Sequence, residues 1–155
     1  MKKVNYKILI ASLIIVYSVA LIGSIFTSSN TNTSWYQSIK PSITPPNWVF
    51  PVVWNILFFL IALSLYFALI KSNKKQKKKI IIVFGINFFL NILWSVLFFT
   101  MKNPLFSFFE LILLWFSILL IIFTTWKINK RSSYLLIPYL LWVSFAGVLN
   151  YLIAF

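Results

Sequence analysis

Five long runs of apolar residues divide the chain. They cover approximately residues 8–26, 48–70, 80–101, 105–126 and 134–155. A helix needs about 20 residues to cross the hydrocarbon core of a bilayer, and each run has about that length. Only helices or closed barrels satisfy their backbone groups in lipid, and the runs lack the period-two alternation of barrel strands. The pattern predicts an all-α membrane protein with a bundle of five transmembrane helices.

Composition supports this interpretation. Hydrophobic residues make up 61% of 155 positions, and the mean hydropathy is +0.95. Soluble domains are about 45–50% apolar. Because one small core cannot bury so much apolar surface, we expect it to face lipid, and we treat residues 1–155 as a single transmembrane domain.

The first run could also be a signal peptide. Lysines precede residues 8–22, and Ser18-Val19-Ala20 is an acceptable cleavage site. The apolar run continues past this site to Phe26, which is longer than a usual signal core. We therefore expect it to be retained as the first span.

Positive charge is unevenly divided between the two sides of the predicted bundle. The sequence has 14 Lys and Arg residues and one acid, a net charge of +13. If ends and loops alternate sides, twelve cations share one side: Lys2, Lys3, Lys7, Lys71, Lys74, Lys75, Lys77, Lys78, Lys79, Lys127, Lys130 and Arg131. Only Lys40 and Lys102 fall on the other. The positive-inside rule then predicts a cytoplasmic N-terminus and a C-terminus outside.

The cations lie in the gaps between apolar runs and do not follow one amphipathic surface. This distribution is typical of a topology signal that contacts lipid headgroups. We therefore expect the lipid bilayer as the partner of these lysines, and no nucleic acid.

The longest loop, residues 27–47, falls on the predicted outer side. It begins polar and then becomes aromatic and proline-rich, with Trp35-Tyr36, Lys40-Pro41 and Pro45-Pro46. Proline restricts its own backbone and that of the preceding residue, so this stretch cannot be one continuous helix. A short helix followed by a rigid extended entry into the second span would make a lid over the bundle. An interfacial aromatic belt with a stiff linker remains the alternative.

Several classes of chemistry are excluded by what the sequence lacks. There is no His and no Cys, and Glu110 is the single acid. Ordinary metal sites, catalytic triads and carboxylate pairs therefore cannot form. We expect no metal, no obligatory cofactor and no conventional catalytic constellation; a haem could bind only without His or Cys ligation.

Three predicted helices each carry a stripe of aromatic or amide residues on one face. Helical spacing joins Trp54 with Phe58, Asn87 with Asn91 and Trp94, and Trp142 with Ala146 and Asn150. Amides are costly in lipid, so these faces should point into the bundle. They predict either a pocket with flat aromatic walls or simple interhelical hydrogen bonding.

Glu110 lies about one turn inside the fourth span. A carboxylate within a membrane is a functional candidate. Near a helix end it could instead reach the headgroups or complement the positive end of the helix dipole. Both interpretations stay open at the level of sequence.

Three motifs resemble the TspO/MBR family, the tryptophan-rich sensory or translocator proteins, also called the peripheral benzodiazepine receptor family. The loop motif runs from Trp35-Tyr36 through Lys40-Pro41, Pro45-Pro46, Trp48 and Pro51 to Trp54. The other two are Asn91-x-x-Trp94-Ser95-x-x-Phe98-Phe99 and Pro138-Tyr139-Leu140-x-Trp142 through Asn150-Tyr151. They follow the family's order from residue 35 to the end of the chain.

The resemblance implies a five-helix bundle, commonly a homodimer, with a ligand cavity capped by the first loop. It implies binding of porphyrins such as protoporphyrin IX or haem, and of isoquinoline-carboxamide and benzodiazepine-type drugs. In bacterial members it implies light-dependent oxidative breakdown of protoporphyrin at the plasma membrane. A transporter or a ligand-responsive sensor of tetrapyrroles and similar amphiphiles is the alternative.

The same resemblance assigns the ligand site residue by residue. The matching positions are Tyr36, Trp54, Phe58, Asn91, Trp94, Trp142 and Ala146, with Asn87 where many members carry Gln. Trp54 and Trp142 are the candidate redox residues, because an indole stacked on a photoexcited porphyrin could donate an electron.

Overall fold

The computed structural model describes residues 4–155, and within them all regular structure is helical. The elements are α1 (Tyr6–Ser28), α2 (Ser34–Ile39), α3 (Val49–Lys71), α4 (Lys74–Ser95), a π-helical segment (Val96–Thr100), α5 (Pro104–Trp126), α6 (Lys130–Tyr134) and α7 (Ile137–Ala154). Five stretches are long and apolar enough to cross a membrane, counting α4 with the π-helical segment and α6 with α7. The predicted fold class and the number of spans are confirmed.

Asparagine side chains define where several helices begin. Asn5, Asn73, Asn103 and Asn129 each accept a hydrogen bond from a backbone N–H in the first turn of α1, α4, α5 and α6. Such caps satisfy amide groups that have no partner within the helix. At α4 the side chain of Gln76 completes a capping box, which explains why this helix starts at Lys74 and not at the apolar run near residue 80.

The fifth crossing is also longer than the predicted range 134–155. It begins with the short α6 and continues, after a turn at Leu135 and Leu136, as α7. Pro138 lies in the first turn of α7, where its missing N–H breaks no helical hydrogen bond.

Helix α5 packs against α4, α6 and α7, and α1 packs against α3 and α4. Gly147 permits a close approach of α7 to α5, because a Cβ atom there would lie 3.2 Å from Leu111 Cδ2. The opposite face of α5 exposes Leu113, Phe116 and Phe123. This face has no protein partner among residues 4–155, as expected of an integral, multi-pass membrane protein.

The orientation in the membrane stays a prediction. Lys2 and Lys3, two of the cations on which it depends, lie outside the described residues.

Candidate functional site: an aromatic cavity beneath a helical lid

A cavity of about 340 Å³ lies inside the bundle beneath the loop that connects α1 to α3. Helices α1, α3, α4, α5 and α7 and the π-helical segment all contribute to its wall. It falls in the lower part of the size range of small-molecule pockets, about 300–1,000 Å³. A second, apolar groove lies on the outside of the bundle between α5 and α7, and it is more open.

The lid over the cavity is the short helix α2. The Thr33 side chain caps its first turn, and the chain leaves it in extended conformation at Lys40, just before Pro41. Tyr36 is buried under the helix. Its ring centroid lies 6.3 Å from that of Phe98 and 5.7 Å from that of Phe99. The loop therefore contains the expected short helix, and aromatic contacts hold it on the bundle.

The π-helical segment supplies the other side of these contacts. Met101 N bonds to Val96 O, a spacing of five residues, at 2.9 Å. Phe98 and Phe99, two consecutive residues of this segment, are both buried. π-Helical turns occur often at functional sites.

Indole rings form much of the cavity wall. Trp54 stacks on Phe58 at 5.3 Å and meets Tyr139 edge-on at 6.1 Å. Trp142 packs edge-on against Phe50 at 5.8 Å. Trp94, two residues before the π-helical segment, stacks on Phe98 at 5.1 Å with only 18° between the ring planes. Three tryptophans, Trp54, Trp94 and Trp142, thus border one space.

Asn150 is the centre of one hydrogen-bonded group, which we call the Asn150 cluster: Trp94, Ser107 and Asn150, with the Pro104 carbonyl. Its Oδ1 accepts from Trp94 Nε1 and from Ser107 Oγ, both at 3.0 Å. Its Nδ2 donates to Pro104 O at 2.8 Å. The cluster ties α4, α5 and α7 together beside the cavity and fixes the orientation of the Trp94 ring.

Tyr139 is the centre of a second group, the Tyr139 cluster: Asn87, Asn91, Ser117 and Tyr139. Asn91 Nδ2 donates to the Tyr139 hydroxyl at 3.1 Å, which donates to Asn87 Oδ1 at 3.3 Å. Asn87 Nδ2 donates to Ser117 Oγ at 2.8 Å. Asn91 lines the cavity, whereas Asn87 lies behind it and is fully enclosed.

Polar groups concentrate where the cavity meets the loop. Thr27, Ser28, Thr31, Thr44 and Asn47 line this end. The Thr44 hydroxyl is buried and has no hydrogen-bond partner. Such a rim can donate hydrogen bonds to the polar end of a ligand, while the rest of the cavity offers aromatic surface.

Seven of the eight residues predicted for the ligand site border this cavity. They are Tyr36, Trp54, Phe58, Asn91, Trp94, Trp142 and Ala146. The eighth, Asn87, lies one layer behind them. The structure thus brings the three sequence stripes and the lid tyrosine together; their roles, including the redox roles of Trp54 and Trp142, stay predictions.

Sequence reasoning missed other parts of the wall. Phe50 and the polar rim carry no periodic signal, because they belong to a first helical turn and an irregular loop. Phe98 and Phe99 were part of a recognised motif, but the sequence did not predict the π-helical segment that carries them.

Titratable groups at the site are few. Burial raises the pKa of the Tyr36 phenol above its ordinary value. Glu110 is buried inside the bundle, which argues against the interpretation that its side chain reaches the headgroups. Within residues 4–155 no three His, Cys, Asp or Glu side chains come together.

Known proteins are similar to this sequence over most of its length. The TspO/MBR family model matches residues 11–155. Tryptophan-rich protein TspO of Chlorobaculum tepidum is 40% identical over 88% of this chain and 87% of its own length. Tryptophan-rich protein TspO of Archaeoglobus fulgidus is 38% identical over 94% of both chains. Protein CrtK of Rhodobacter capsulatus is 31% identical over 83% of this chain and 79% of its own length.

These relatives support a membrane sensory or ligand-binding role, and the cavity is the candidate site for it. A family match over nearly the whole chain, together with these relatives, identifies the family. The chain belongs to the TspO/MBR family.

Proposed function

We propose that the protein binds tetrapyrroles such as protoporphyrin IX in the aromatic cavity and promotes their light-dependent oxidative breakdown. The observation that carries this proposal is the convergence of Trp54, Trp94 and Trp142 on one enclosed space beneath α2. Flat aromatic walls suit a flat conjugated ligand, because stacking offers contact area on both ring faces.

The polar rim supports a ligand that is apolar at one end and carries carboxylates at the other. The Thr44 hydroxyl, which has no partner among the described residues, and the remaining amide N–H of Asn47 would donate to the carboxylates of a porphyrin. The macrocycle would lie against the indoles further inside. Isoquinoline-carboxamide and benzodiazepine-type drugs are smaller, and we expect the same walls to bind them.

The chain's contribution to the chemistry would be electron donation and enclosure. Light excites the ligand, and Trp54 or Trp142 donates one electron to it, so the indole is oxidised as the ligand is reduced. Dioxygen, the oxidant of the overall breakdown, then takes this electron and becomes superoxide. The oxidised indole regains an electron from the ligand, and superoxide adds to the resulting ligand radical cation, so the ligand is oxidised and the indole is restored. The lid helix would keep bulk water away from the reacting ligand.

The test is illumination of the purified protein with protoporphyrin IX in detergent while its absorption spectrum is followed. We expect protein-dependent loss of the porphyrin bands with a defined product. Replacing both Trp54 and Trp142 by Phe should slow this loss at least tenfold while binding persists. Trp126→Phe is the control, because Trp126 packs against Tyr134 and Lys130, away from the cavity wall.

Intact breakdown by the double variant would contradict the redox roles of the two tryptophans. Binding without any breakdown would favour a ligand-responsive sensor or a transporter. We further propose that the protein acts as a homodimer in the bacterial plasma membrane with α2 on the outer side, as the distribution of lysines and the family suggest.

A further inference from the structure

The burial of Glu110 is a feature that the ligand cavity does not explain. It is the single acidic residue of the sequence, and its side chain is only 5% exposed within α5. Among residues 4–155, neither carboxyl oxygen has a hydrogen-bond partner. A buried polar group without any partner is rare in native proteins and calls for a specific explanation.

The position of Glu110 is between the two hydrogen-bonded clusters. Ser107, in the Asn150 cluster, lies one helical turn before it, and Ser117, in the Tyr139 cluster, lies two turns after it. The amides and hydroxyls of both clusters form hydrogen bonds with one another, and none of them bonds to the Glu110 carboxyl. Glu110 itself does not line the cavity, but Asn91 and Trp94 of these clusters do.

No positive charge compensates this carboxyl. On α7 the Tyr139 hydroxyl is within electrostatic reach, and Tyr151 is exposed. After its lysine-rich first turns, α4 carries no titratable side chain, and the π-helical segment carries none either. Within α5, Glu110 is the only titratable residue. Lys102 precedes α5, while the cations of α6 lie near its other end. An ionised, unpaired carboxylate in such a place would be strongly unfavourable.

We propose that Glu110 is an intramembrane proton-binding site whose protonation is coupled to occupancy of the cavity. In the arrangement described, the carboxyl holds its proton and is neutral. When the proton leaves, toward water at the cavity opening, the charged carboxylate needs donors. The clusters that flank Glu110 along α5 offer such donors, and these include the Asn91 amide and the Trp94 indole N–H.

The need of the carboxylate for hydrogen-bond donors couples the protonation of Glu110 to ligand binding. Turning Asn91 or Trp94 toward Glu110 removes polar anchors from the cavity wall and rotates a wall indole. Ligand affinity should therefore fall when Glu110 ionises, and by linkage a bound ligand should help Glu110 retain its proton. The coupling rests on the proposed ligand binding, whereas the proton site itself does not.

Infrared spectroscopy tests the proton site directly, because one acidic side chain gives one assignable signal. Protein labelled with ¹³C-glutamate should show the C=O stretch of a protonated carboxylic acid at neutral pH without ligand. This band should be absent from Glu110→Gln. Finding only carboxylate bands in the labelled wild type would overturn the proposal, and this measurement needs no variant to fold.

The coupling is tested by binding of protoporphyrin IX, followed by quenching of tryptophan fluorescence across pH. We expect the wild-type affinity to fall about fivefold as the acid band disappears, and the Glu110→Gln affinity to stay constant. Tyr134→Phe, which removes an exposed phenol away from the cavity, should keep the wild-type profile over this range. An equal pH dependence in Glu110→Gln would overturn the coupling. Absence of porphyrin binding at every pH would overturn the coupling and the proposed function, and the infrared band would still decide the proton site.

Discussion

The two ends of the bundle use intramembrane polar groups in opposite ways. At the end away from the lid, which we call the closed end, Ser64 and Ser132 exchange hydrogen bonds between side chain and backbone at 2.9 and 2.7 Å. Thr125 and Ser133 pair at 2.8 Å. At the cavity end, the Asn150 and Tyr139 clusters connect helices around a space that remains open.

Side-chain size explains the difference. Small hydroxyl side chains let helices approach closely, and aliphatic residues such as Ile118, Ile121 and Leu136 fill the closed end without any exposure. At the cavity end, bulky rings meet both stacked and edge to face around the open space. The closed end thus holds the helices in place, and the cavity end can keep a pocket.

The largest expected effect comes from a void at the closed end. Ile121→Ala should lower the free energy of unfolding by about 2 kcal/mol, because the rigid surroundings cannot fill the space left by a side chain with 0% exposure. Thermal unfolding in detergent measures it. Leu120→Ala is the matched control on the lipid face, 46% exposed, and should change the midpoint little. Equal effects of the two changes would show that the closed end is not tightly packed.

A second change fills the space at the cavity end. Ala146→Phe places a ring in the cavity beside Trp142 and should weaken ligand binding at least tenfold, which corresponds to about 1.4 kcal/mol. The thermal midpoint should stay near that of the wild type, because the ring enters existing space. Val148→Phe, on the exposed face of the same helix, is the control. Undiminished porphyrin binding by Ala146→Phe would place the ligand outside this cavity.

A third change removes the acceptor that holds Trp94. Asn150→Ala leaves the buried indole N–H without its partner and should destabilise the protein by about 1 kcal/mol, since hydrogen bonds within membranes average about 0.6 kcal/mol and an unpaired donor adds to this. Trp115 offers a matched pair, because its indole N–H donates to Ser144 at 2.8 Å beside the open outer groove. Ser144→Ala should have less than half the effect in the same unfolding assay.

The five spans and the inward stripes could be predicted because they depend on local patterns. Length and hydropathy identify a membrane helix almost regardless of its neighbours. Helical spacing alone put Asn91 and Trp94 on one face, and the cost of an amide in lipid turned that face inward. The lid tyrosine, Tyr36, came only from the resemblance to a family.

Other features depend on contacts between distant segments and could not be predicted. Ser64 and Ser132 look unremarkable in sequence, and their pairing appears only when α3 meets α6. The π-helical turn shifts the register of Phe99, which an α-helical periodicity cannot anticipate. Asn87 shares the stripe of Asn91, yet Tyr139 and Ser117 draw it behind the cavity wall.

The smallest expected effect concerns the lid and pH. Burial raises the pKa of Tyr36, so above the ordinary phenol value of about 10 the closed lid keeps a proton that an open lid would lose. The open state is then favoured as pH rises, because it binds fewer protons than the closed state. Ligand release should accelerate about twofold between neutral pH and pH values above the ordinary phenol pKa.

Tyr36→Phe should remove this acceleration, whereas Tyr134→Phe, at an exposed tyrosine near the closed end, should preserve it. An unchanged pH response in Tyr36→Phe would show that the Tyr36 phenol does not control ligand release. The contact of Trp35 with Lys102, whose ammonium lies 5.8 Å from the indole centroid, would then be the next anchor of α2 to test.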